Sequence, residues 1–190
     1  MTTQPAVQEA EVVLNGVDVG EVEALVGAIE ADPELAKSRF QLRNTWIDGG
    51  HNSSRIEGFH AARQDIAHQQ AFTLEADEPP ILAGQDKGAN PVEHLLNALA
   101  ACLTTTLVYH AAVRGIEIRS VESTLEGDLD LRGFLGLSSD VRPGYQNIRV
   151  KFSVDTDTEN LERLKALSKL SPVFDITTKG TNVDVSIERK

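Results

Sequence analysis

The chain has 190 residues, 41% of them hydrophobic and 25% charged, which is enough apolar mass for one domain with its own core. Its net charge of −11, with no cluster of Lys or Arg to offset it, opposes contact with phosphate backbones or anionic lipid, so neither nucleic acid nor membrane is an expected partner. Its one cysteine, Cys102, excludes an internal disulfide and a cysteine zinc cage, and fits a reducing, cytoplasmic setting.

Residues 1–16 read as a loose tail or an edge strand, and their opening lacks the basic start and apolar core of a signal peptide. A helix is predicted near 20–31, with Val22, Leu25, Val26 and Ile29 on one face. Asp32-Pro33 has the form of a cap and first-turn proline for a short helix over 33–39. Residues 1–39 are therefore read as a helical arm ahead of a main domain, 40–190. From Phe40 to about Leu74 the pattern is strand-like: "FQLRNTWID" alternates, Gly49-Gly50 turns, and "SRIEGFHA" and "QQAFTLEAD" follow. Residues 78–90, rich in Pro and Gly, read as a loop.

Residues 91–114 carry the strongest helix signal. Asn90 caps, Pro91 fits the first turn, Glu93 completes a capping box, and Gly115 stops the helix. Leu95, Leu96, Leu99, Cys102, Leu103, Leu107 and Val108 spread apolar surface around it, the pattern of a helix buried on several sides; Asn97, three threonines and His110 argue against a membrane span. "IEIRSVESTLEGDLDL" and "NIRVKFSVDTD" then alternate as strands, with "RPGY" at 142–145 as a turn. Thr158 is predicted to cap a helix carrying Leu161, Leu164 and Leu167, Ser171-Pro172 to start another, and "NVDVSIE", 182–188, to close the chain as a strand. The order predicts an α+β domain with helices packed on an antiparallel sheet.

"GANPVEHLLNALAACL", followed by a β-meander and then by "LERLKALSKLSPV", resembles the OsmC/Ohr family over roughly residues 40–190. The resemblance implies an OsmC-like fold: an intertwined homodimer with antiparallel sheets packed on long central helices. It also implies thiol-dependent reduction of organic hydroperoxides. In that chemistry a reactive cysteine attacks the peroxide, a second cysteine resolves the sulfenic acid, and a glutamate and an arginine hold the thiolate.

Cys102 falls on the reactive position. Its other reading is a satisfied core thiol, since free cysteines are among the most buried residues. Ser171 stands where the second cysteine is expected, and a hydroxyl cannot form a disulfide; its local reading is an N-cap ahead of Pro172. Val92 occupies the glutamate's place and Glu93 follows it, turned by about 100°. Glu93 lies nine residues before Cys102, on another face of the same helix, so contact between them requires a second chain. Arg43 and Arg55 are the candidates for the arginine. These departures point to the less-characterised branch of the family that lacks the second cysteine.

None of His51, His60, His68, His94 and His110 forms the i, i+4 pair of a helical zinc site, and no glycine-rich nucleotide motif occurs, so neither metal nor cofactor is expected. Two functions follow as expectations. One is a one-cysteine peroxidase, using Cys102 and an external thiol reductant. The alternative is a non-catalytic binder of an apolar small molecule in a dimer-interface cleft.

Overall fold

The computed structural model describes residues 12–189. The chain forms two compact units, one ending at Leu95 and the other beginning at Leu96.

In the first unit, β1 (Val13–Leu14) and β2 (Val17–Asp18) form a hairpin over Asn15-Gly16, whose positive φ angles of 55° and 77° suit its two-residue turn. Residues 1–11 of the expected tail lie outside the described residues. The Asp18 carboxylate accepts from the Glu21 N–H at 3.0 Å and starts α1, Val19–Ala31, close to the predicted 20–31. Leu25 and Val26 of its expected apolar face are exposed. Asp32 accepts from the Glu34 N–H at 3.2 Å, as its Asp-Pro start predicts, but the helix it opens is a single 3-10 turn, Pro33–Ala36, shorter than the expected 33–39.

β3 (Arg39–Phe40), β4 (Arg43–Asp48), β5 (His51–Ala61) and β6 (Gln64–Ala76) form an antiparallel sheet in which β5 pairs with the other three. Ile56 faces Phe72 while Gly58 faces Ala67, so residues 68–71 of β6 bulge opposite Glu57. Phe40, Phe59, His68 and Phe72 stack across this region, with ring centroids 5.4, 5.4 and 5.0 Å apart.

The loop after β6 is organised by a carboxylate that no motif in the sequence singles out. Asp77 is fully buried, and its carboxylate accepts backbone N–H groups from Glu78 at 2.8 Å, Gln85 at 3.1 Å and Lys87 at 3.2 Å. Burial pushes this carboxyl up. The three N–H donors, with His51 nearby, outweigh that effect and hold it below its ordinary value. A side chain at Gly84 would overlap the Glu78 carbonyl, and one at Gly88 the Glu75 carbonyl, so both glycines are required by close backbone approach.

The loop delivers the chain to α2, Pro91–Ala112. Asn90 Oδ1 accepts from the Val92 N–H and Glu93 Oε2 from the Asn90 N–H, both at 2.9 Å, which is the predicted reciprocal capping. Gly115, at φ 67°, ends the helical segment as expected. By length and composition alone α2 is able to cross a bilayer. Within this chain it buries Leu99, Leu103, Thr106, Leu107, Ala111 and Ala112 and leaves Leu95 and Tyr109 exposed. Most of these lie along one face, and Ala112 lies opposite Leu103, so burial on several sides is met only toward the end of the helix.

In the second unit β7 (Ser120–Asp128) pairs antiparallel with β8 (Asn147–Asp155) along their full lengths. A short helix unread in the sequence, α3 (Leu131–Phe134), sits between them, capped by Asp130. The helical stretch that follows is broken into a 3-10 turn (Thr158–Asn160), α4 (Leu161–Leu167), a second 3-10 turn (Ser168–Leu170) and α5 (Pro172–Lys179). Thr158 begins the first of these turns and makes no cap. The tighter turn opens the element there, and α4 starts only after Asn160. Leu107, Ala111, Ile116, Leu164 and Leu167 form the core, with Ile118 and Val154 packed on it.

Residues 182–188 are not a strand. The alternation is present, but a strand needs a neighbour, and among the described residues β7 and β8 pair only with each other. Val183, Val185 and Ile187 are left 77%, 81% and 94% exposed.

The architecture is mixed α and β with antiparallel sheets, in agreement with the predicted class.

Candidate functional site

Cys102 sits mid-way along α2, half-buried. Facing it is the break between the second 3-10 turn and α5. Pro172 lacks an N–H and disfavours a helical conformation in the residue before it, so Ser171 takes extended angles (φ −75°, ψ 121°) and becomes the N-cap. Its side chain is 1% exposed. Ser171 Oγ accepts from the Phe174 N–H at 3.2 Å and donates to Cys102 Sγ at 3.1 Å. The cap occupies a lone pair of the hydroxyl, so its proton is directed at the sulfur. A hydrogen bond of this kind strengthens when its acceptor is anionic. Two positions 69 residues apart, which the resemblance named as reactive and resolving sites, are therefore in contact.

The other sequence candidates lie elsewhere. Glu93 is committed to the Asn90 N–H, the local role its spacing predicts. Arg43 and Arg55 stand directly opposite each other on β4 and β5, both exposed. Arg55 Nε donates to Glu57 Oε1 at 2.7 Å, and both guanidiniums hold the Glu57 carboxyl below its ordinary value, Arg55 foremost.

The histidines have structural partners. His51 donates to Glu75 Oε2 at 2.8 Å, and the Glu75 backbone carbonyl accepts from His94 at 3.0 Å. His60 bonds Asp65, and His68 belongs to the aromatic stack. His110 lies beside Arg114. Partial burial, together with that cation, keeps it below its usual range.

An apolar cleft of about 430 Å³ also opens in the second unit, between α2, β8 and α4. Its lining includes Leu103, Leu107, Phe152, Leu164, Lys165 and Phe174. Leu103 follows Cys102 in the chain, and Phe174 supplies the N–H that Ser171 caps.

Residues 84–186, more than half of the chain, match the family model described as OsmC-like protein. The chain belongs to the OsmC-like family. Among solved structures, an OsmC-like protein from Mycoplasma pneumoniae is similar at 19% identity and TM-score 0.57, over 74% of this chain and 88% of that one. An OsmC-like protein of unknown function from Vibrio cholerae is similar at 12% identity and TM-score 0.56, over 73% and 93%. At such identities these two carry the fold alone. A comparison with curated proteins gives no match. Within this OsmC-like chain the family match takes in Cys102, Ser171 and the whole of α2, and leaves out the arm and all of the first sheet.

Proposed function

We propose that this OsmC-like protein is a thiol-dependent reductase of organic hydroperoxides that works with one cysteine, Cys102, and an external thiol. The observation that carries the reading is the 3.1 Å hydrogen bond from Ser171 Oγ to Cys102 Sγ. The Cys102 thiolate attacks the terminal peroxide oxygen, the O–O bond breaks, and the alkoxide leaves as an alcohol after taking a proton. Two electrons pass to the peroxide and Cys102 becomes a sulfenic acid. Ser171 cannot condense with it. A first external thiol attacks the sulfur, releasing water and forming a mixed disulfide, and a second releases the external disulfide and restores Cys102. A reducing cytoplasm supplies such thiols.

The reading includes a homodimer. Trp46 and Phe72 on the first sheet, and Val183, Val185 and Ile187 after α5, are exposed apolar surface that a second copy would cover. Light scattering at micromolar concentration should return twice the chain mass; a monomer would remove this part of the account.

Turnover is the direct test. Purified protein given cumene hydroperoxide and a small monothiol should consume both in a 1:2 ratio, and Cys102→Ser should lower the rate at least 100-fold, the order expected when a nucleophile is removed. Equal rates for the two proteins would overturn the reading. The second reading, a non-catalytic binder, rests on the apolar cleft. It gains if turnover is absent and native mass spectrometry finds an apolar adduct on both the parent chain and Cys102→Ser.

A further inference from the structure

The first unit carries a second cleft, of about 630 Å³, at the place where the β5–β6 register shifts. It is lined by Arg43, Arg55, Glu57, Phe59, Asp65 and Ile66. The shift is built into the chain: a side chain at Gly58 would overlap the Ile66 carbonyl, so the two backbones approach there as only glycine allows.

The charges in this cleft are arranged against the usual pairing rule. Arg43 and Arg55 face each other directly across β4–β5, where like charges disfavour the pairing. The two carboxylates of the lining are already engaged: Glu57 accepts from Arg55 Nε at 2.7 Å, and Asp65 bonds His60 at 2.8 Å. Among the described residues the Arg43 guanidinium makes no hydrogen bond or ion pair and acts on Glu57 only through its charge, and Arg55 donates to Glu57 through Nε. Two guanidinium forks therefore border, on one face of the sheet, a cleft that Phe59 and Ile66 also line. Forks of this kind match a planar oxyanion, and an aromatic or aliphatic wall matches an apolar body.

We propose that this cleft binds an organic carboxylate with a flat apolar body, the carboxylate held by Arg43 and Arg55 and the body lying on Phe59 and Ile66. The site consists wholly of first-unit residues and does not depend on the thiol chemistry of Cys102.

The test is titration calorimetry of the full chain with 2-naphthoate, with 2-naphthylmethanol as the uncharged control. Naphthoate should bind at least tenfold more tightly than the alcohol. Arg43→Gln and Arg55→Gln should each weaken it about tenfold or more, the loss expected for a charge-assisted hydrogen bond. Arg43→Lys, which keeps the charge and loses the fork, should weaken it roughly threefold. Matching thermal melts would separate these losses from misfolding. Naphthoate no tighter than the alcohol, affinity unchanged in Arg43→Gln and Arg55→Gln, or no binding at millimolar concentration would each overturn the proposal.

Discussion

Replacing Ser171 with cysteine is expected to give a chain that, on mild oxidation, closes a disulfide between Cys102 and the introduced thiol. The present Oγ–Sγ separation is 3.1 Å, and a disulfide needs about 2 Å, a closure to which the longer C–S bond of the new residue contributes. The bridge would close a loop spanning 69 residues, for which chain entropy sets an upper stabilisation of about 4 kcal/mol. Oxidised Ser171→Cys should therefore melt well above its reduced form, and its intact mass should fall by the two hydrogens lost. The parent chain should show neither change. Two free thiols persisting in oxidised Ser171→Cys would mean that position 171 does not lie against Cys102, and the proposed site would lose its basis.

The second large effect is expected far from the thiol. Gly84→Ala puts a methyl group into the Glu78 carbonyl, and backbone cannot swing aside as a flexible side chain can. The loop must open, at a cost on the order of 3 kcal/mol. Opening it also releases the N–H groups that Asp77 holds, so denaturant unfolding should move to clearly lower concentration. The same contact makes an acid prediction. The Asp77 carboxyl lies below its ordinary value in the fold, so its contribution is present above about pH 4 and is lost as pH falls through the folded value. Asp77→Asn should be less stable than the parent near neutrality, and the gap should narrow as the pH drops. A gap that stays constant or widens in acid would contradict this role.

Local signals in the sequence carried much of the fold. The spacing of Asn90, Pro91 and Glu93 specifies a helix start through backbone chemistry that needs no distant partner, and Ser171-Pro172 does the same. Signals that depend on a neighbour carried less. The alternation at 182–188 describes a residue pattern, whereas a strand is a pairing, and none of the described residues pairs with that segment. Asp77 carried only a weak signal, an acid ahead of a loop containing Gly84 and Gly88. For the candidate site, Cys102 and Ser171 each had a bland local reading, as core thiol and helix cap. Only the family resemblance connected them, and their contact depends on the packing of α2 against the break before α5. Arg43 and Arg55 were both visible as candidates. That they face each other is a property of strand register, which the sequence does not display.

Cys102 as the reacting thiol, with Ser171 leaving its oxidised form to an external thiol, is tested most directly by intact-protein mass spectrometry. The protein is given one equivalent of cumene hydroperoxide in the presence of dimedone, without added thiol. A single dimedone adduct is expected on Cys102, with no adduct in Cys102→Ser. None is expected in Ser171→Cys, where the new cysteine condenses with the sulfenic acid first. An unmodified parent chain after complete mixing with the peroxide would contradict the role given to Cys102.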